Sequence, residues 1–131
     1  ANTTTDNEPM SSNVLIVDDS RTVRMMVRAA LEEAGHTVTE AYDGVNALAT
    51  LRSMKADLII TDVNMPEMDG ITLVREVRSQ TSLPRMPILI LTTVQDTAMK
   101  EQGRQAGATG WMCKPFQPDQ LKAVVQRVLA R

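Results

Sequence analysis

Two hydrophobic rhythms alternate along the chain. The runs "VLIVDD" (14–19), "DLIITD" (57–62) and "PILILTT" (87–93) are apolar at consecutive positions, the pattern of strands buried on both faces. "TVTEA" (37–41) alternates with a period of two, and "TGWMC" (109–113) reads as a further short strand. Between these runs the apolar residues return at helical spacing. Val23, Met26, Val27, Ala30, Leu31 and Ala34 predict a first helix, with Ser20 as N-cap and Gly35 at its C-terminal end. Asp43-Gly44 marks a turn, after which Val45, Leu48, Leu51 and Met54 predict a second helix. Leu73, Val74 and Val77 lie on a third. Pro118 opens a last helix carrying Leu121, Val124, Val125, Val128 and Leu129. From Asp96 to Ala106 the pattern predicts a polar helix whose only large apolar residue is Met99. Gly103 in its interior costs on the order of 1 kcal/mol against alanine, so this helix is expected to be weakly anchored.

Strands alternating with helices predict an α/β fold: one domain, a doubly wound five-stranded parallel sheet with helices on both faces. Residues 13–131 form that domain. Residues 1–12, polar and almost without apolar side chains, are expected to be disordered, with Met10 a candidate natural start and a leader ahead of it.

Composition narrows the picture. The chain has 131 residues and is 43% hydrophobic but only 2% aromatic, so its core must be aliphatic. A net charge of −2 argues against nucleic acid or an anionic membrane as partner. No apolar run is long enough to enter a bilayer as a span, and no signal peptide is evident. Cys113 is the only cysteine, which suits a reducing, cytoplasmic setting, and with His36 as the only histidine a zinc site is not expected.

The candidate chemistry sits where strands end. The first ends in Asp18-Asp19, the third in Asp62, the fourth in Thr92-Thr93, and Lys114-Pro115 follows the fifth. Each has an ordinary reading as a turn, cap or strand residue. In a parallel sheet, however, all of them gather at one edge, outside the carboxyl ends of the strands, where such folds bind ligands. Three carboxylates there repel and raise one another's pKa unless a cation joins them, and oxygen ligands suit a hard ion such as Mg²⁺. Metal, the Lys114 ammonium and a threonine hydroxyl together suit an anion with several oxygens. Phosphoryl transfer needs those parts, with an aspartate able to act as acceptor.

With "LIVDDS" (15–20), "DVNMPEMDG" (62–70), "ILTT" (90–93) and "KPF" (114–116) in this order and spacing, the chain from Asn13 to Arg131 resembles a response-regulator receiver domain of the stand-alone, CheY-like type. The resemblance implies the flavodoxin-like strand order 2-1-3-4-5. It implies Asp62 as phosphoacceptor. It also implies Mg²⁺, or Mn²⁺ in its place, on Asp18, Asp19, Asp62 and the backbone carbonyl of Asn64, with Asp19 as direct ligand. Thr92 matches the switch hydroxyl, Lys114 the lysine that contacts a phosphoryl oxygen, and Pro115 a residue typically preceded by a cis peptide. Trp111 occupies the place of the switch aromatic, usually Tyr or Phe. Val94 stands where chemotaxis relatives often carry a polar group, so Val94 and Asn64 are expected to set the lifetime of the phosphorylated state.

The function so implied is a phosphorylation-activated signalling switch of a two-component system, chemotaxis being one setting. A CheA-like histidine kinase donates the phosphoryl group, and the region 92–116 alters contact with a protein target such as a flagellar motor switch. The domain is expected to be a monomer and no enzyme beyond its own phosphorylation and dephosphorylation. The alternative is a phosphate sink or relay intermediate. A haloacid dehalogenase-like phosphatase fits less well, because it wants an acid where Asn64 stands. A flavodoxin fits poorly, because Asp18-Asp19 occupies the place of a phosphate loop.

Overall fold

The computed structural model describes residues 11–130. Five parallel strands, β1 (Asn13–Val17), β2 (Thr37–Ala41), β3 (Leu58–Thr61), β4 (Ile88–Thr92) and β5 (Gly110–Cys113), stand in the order β2-β1-β3-β4-β5. Each is followed by a helix: α1 (Arg21–Glu33), α2 (Gly44–Leu51), α3 (Gly70–Ser79), α4 (Thr97–Ala106) and α5 (Pro118–Leu129). This is the doubly wound sheet and strand order expected above.

The consecutive apolar residues of the central strands serve two layers. Val14, Ile16, Leu58, Ile60, Leu89 and Leu91 face α1 and α5, whereas Leu15, Val17, Ile59, Ile88 and Ile90 face α2, α3 and α4. Because successive side chains point to opposite faces, a strand covered on both sides has no polar position to spare. Full burial of each Leu or Ile contributes about 1.5–3 kcal/mol. Helix ends follow their local signals. Ser20 accepts the Val23 amide at 3.2 Å, and Asp43, Asp69 and Asp96 cap α2, α3 and α4. Beyond α1, Gly35 at φ +97° places its amide on the Glu32 carbonyl and that of His36 on the Leu31 carbonyl, a Schellman closure.

Four expectations change. Met26, read as part of the buried stripe of α1, is 47% exposed. Helix α2 stops at Leu51, and Met54 packs on the core from the turn beyond it. Gly103 is not merely a poor helix former. It is buried, and a Cβ there would stand 3.0 Å from Trp111 and 3.1 Å from Ile90. Its missing side chain lets α4 approach the sheet, where Met99 and Ala106 also pack. Finally, the expectation of disorder over 1–12 falls mostly outside the described residues, but Ser12 is described and is buried. Its amide donates to His36 Nδ1 at 3.3 Å and its carbonyl accepts from Thr37 at 2.9 Å.

Candidate functional site

The backbone ladder runs one residue past the strands and fixes the polar residues there. The Asp18 amide donates to Ala41 (3.1 Å), that of Asp62 to Val17 (3.0 Å) and that of Lys114 to Thr92 (2.9 Å). Asp18 and Asp62 therefore stand on neighbouring strand ends, β1 and β3, and Lys114 reaches them from β5, one strand beyond β4. Carboxylate oxygens of Asp18, Asp19 and Asp62 all lie within 4.8 Å of one another. Lys114 Nζ donates to Asp18 Oδ2 at 2.7 Å and to Asp62 Oδ2 at 3.0 Å.

The two members of the acidic pair differ. Asp18 is buried, and its second oxygen accepts the Ser20 amide at 2.9 Å. Burial pushes its carboxyl above the usual range, with Lys114 and the Ser20 amide pulling the other way. Lys114 is penalised by burial too, yet its bonds to Asp18 and Asp62 hold its ammonium above the usual value. Asp19, one residue on, is exposed and unconstrained by such bonds. Asp18 is thus the anchored member and Asp19 the one free to turn toward a cation. Three carboxylates face one ammonium, leaving an excess of negative charge on oxygen donors alone. That set fits a hard divalent ion such as Mg²⁺.

Asp62 is held from its own loop as well. The Val63 amide donates to Oδ1 at 2.6 Å, and the Thr61 hydroxyl donates to the Asp62 carbonyl at 2.9 Å. The loop then folds tightly back. Glu67 takes φ +71°, and the Gly70 amide reaches the Val63 carbonyl at 2.8 Å. A Cβ on Gly70 would lie 1.8 Å from the Asp62 carbonyl oxygen, so only glycine can start α3 at this spacing. Asn64 is exposed within this loop.

Thr92 is fully buried, and its hydroxyl accepts the Val94 amide at 3.3 Å. The Val94 carbonyl in turn accepts the Trp111 indole N–H at 3.0 Å. Trp111 therefore sits away from the carboxylates, packed on Gly103, and Val94 connects it to the threonine through its own backbone. The Lys114–Pro115 peptide is cis.

One positioning residue escaped the sequence pattern. Arg24 Nη1 donates to the Asp18 carbonyl at 2.7 Å while Nε pairs with Glu40 at 2.9 Å. Its partner lies on β2, sixteen residues away, so no local spacing could reveal it.

The sequence model of the family "Response regulator receiver domain" matches residues 14–126. The chain is 39% identical over 119 residues to the chemotaxis protein CheY of Pseudomonas aeruginosa, covering 90% of this chain and 96% of that one. It is 38% identical over 122 residues to the response regulator MprA of Mycobacterium ulcerans, covering 93% of this chain but only 52%, about half, of that protein. Among solved structures it superposes on the chemotaxis protein CheY4 of Vibrio cholerae with a TM-score of 0.86 at 45% identity, covering 91% of this chain and 99% of that one.

Proposed function

The chain belongs to the response regulator receiver domain family, and from that premise we propose that Asp62 accepts a phosphoryl group from a phosphohistidine of a partner kinase. The carboxylate of Asp62 forms the new P–O bond while the P–N bond to the donor breaks, the electron pair leaving with the imidazole. Lys114, placed by its strand end beside Asp62, moves its ammonium from carboxylate to phosphoryl oxygen. Asp18, Asp19 and Asp62, with the Asn64 carbonyl, would hold Mg²⁺, which would supply charge neutralisation on the transferring oxygens. The observation that carries this reading is the approach of three carboxylates at neighbouring strand ends with one lysine bridging two of them.

The signal then leaves through Val94. The Thr92 hydroxyl accepts the Val94 amide and keeps its own hydrogen for a phosphoryl oxygen, so a turn toward that oxygen is felt at Val94, which carries the acceptor that holds Trp111. Phosphorylation thus biases a two-state arrangement of the 92–116 region and with it the affinity for a protein target. The likeness to CheY over nearly its whole length supports a chemotaxis-type switch acting on a protein such as the flagellar motor. The likeness to MprA supports the wider two-component reading, and a phosphate sink is the form without a target.

The test is to add acetyl phosphate with Mg²⁺ and follow the fluorescence of Trp111, the only tryptophan. Wild type should respond to metal and again to the phosphodonor. The second response should vanish in Asp62→Asn, and an equal response in that variant would refute the assignment of Asp62.

A further inference from the structure

The amino-terminal edge of the sheet, opposite the carboxylates, holds an open cleft of about 490 Å³. That is the size of a small-molecule site. Its cationic wall is formed by Arg78 at the end of α3, Arg85 in the loop before β4, and Arg104 on α4. Met86, Pro87 and Val128 give it an apolar side. Among the described residues no carboxylate lines it.

The three arginines are not equivalent. Arg104 is engaged by Glu101, with Nε on Oε1 at 3.0 Å and Nη2 on Oε2 at 2.5 Å. Arg78 instead donates Nε to the Gly107 carbonyl at 3.1 Å and Nη1 to the Met86 carbonyl at 2.6 Å, which fixes its half-buried guanidinium. Gly107 admits it, since φ is +114° and a Cβ there would stand 2.9 Å from Arg78 Cγ. These bonds make Arg78 a strut between α3 and the loops before β4 and β5. They use only part of a guanidinium's five N–H groups.

Arg78 and Arg85 form no ion pair among the described residues. Burial, and after it the charge of Arg85, hold Arg78 below its ordinary value. The Thr109 hydroxyl, which lines the same cleft, accepts the Ile88 amide at 3.0 Å and keeps its own hydrogen to donate. A strut explains Arg78 alone. It does not explain a second arginine beside it, or a cleft whose side chains donate without a carboxylate to receive.

We propose that this cleft binds a diphosphate-bearing metabolite of the nucleotide class, with phosphate oxygens on Arg78, Arg85 and Thr109 and the flat organic part against Met86, Pro87 and Val128. Planar, fixed guanidinium groups suit phosphate oxygens bound in pairs. A single phosphate would fill little of the volume and leave the apolar side unused. The site is independent of Asp62 and lies at the other end of the strands.

ADP and inorganic pyrophosphate, titrated calorimetrically into the full chain in EDTA at constant ionic strength, test this. ADP should bind saturably with a Kd of about 1 mM or below, and more tightly than pyrophosphate. Amide resonances of Gly107 and Thr109 should shift while those of Asp62 and Asn64 stay. Arg85→Ala, which removes an exposed side chain, and Arg78→Lys, which keeps charge but loses the planar fork, should each weaken binding about tenfold. Asp62→Asn should bind as wild type does. No saturable binding of ADP up to about 10 mM, unchanged affinity in Arg85→Ala, or shifts centred on Asp62 would each overturn the proposal.

Discussion

The two edges of the sheet share their strands and differ in almost everything else. At the carboxyl edge three acids and one lysine project from strand ends that the backbone ladder holds in register. At the amino edge the acid present, Asp57, is occupied by the Asn13 amide at 2.8 Å, while His36 receives Ser12 and arginines line a cleft. The strands β3 and β4 are buried at every position, and apolar residues such as Ile60 and Ile90 within them serve the sheet alone. Chemistry is assigned by the one or two residues that flank each strand, and the direction of the chain decides which edge they reach.

If the carboxyl edge depends on close backbone approach, the largest effect should come from Gly70→Ala. The methyl group lands on the Asp62 carbonyl, and we expect a loss of about 3 kcal/mol or more in urea denaturation. A normal midpoint would show that the loop can relax. Next, Mg²⁺ at about one hundred times its Kd should stabilise the protein by about 2.7 kcal/mol. Asp19→Ala should lose that gain in thermal melts and Arg85→Ala should keep it, which contrasts the two edges directly. Third, Val94→Glu and Asn64→Ala should change the half-life of phosphorylated protein about tenfold, equal to about 1.4 kcal/mol of barrier. Unchanged decay of the phosphoprotein, followed on phosphate-affinity gels, would remove both residues from that role.

The smallest effect belongs to His36. Burial holds its imidazole below its ordinary value of 6.5, so the folded state favours the neutral ring that accepts the Ser12 amide. This stability is complete above the unfolded value and drains away as pH falls from 6.5 through the lower folded value. The hydrogen bond is worth about 1 kcal/mol. His36→Gln should flatten the slope of stability between about pH 7.5 and about pH 5. An identical slope in the variant would place the titration elsewhere.

What the sequence made legible was whatever repeats or has direction. The alternation of strands and helices, the helix starts at Ser20 and Asp96, and the gathering of Asp18, Asp19, Asp62 and Lys114 follow from periodicity and from the rule that parallel strands end together. What stayed hidden depends on distance in space. The contrast between an anchored Asp18 and an exposed Asp19 needs the Ser20 amide and the Lys114 ammonium in place. Met26 fits the stripe of α1 by spacing, but nothing covers it. Arg78 carries no signal in the sequence, because the carbonyls it binds belong to two other loops.

Gly103 was first read as a residue that weakens a helix, and its place against Trp111 gives it another meaning. The ring occupies the volume that a side chain at 103 would need. An alanine there is crowded by both the indole and Ile90 while the indole stays, and loses the closer of these two contacts once the indole leaves. Such a methyl group would act as a built-in effector. It would tilt the resting population toward the arrangement that phosphorylation selects, without touching the carboxylates, by as much as the two arrangements differ in tolerating it. On the switch proposed above, glycine at this position would set how firmly the unphosphorylated protein keeps its resting arrangement.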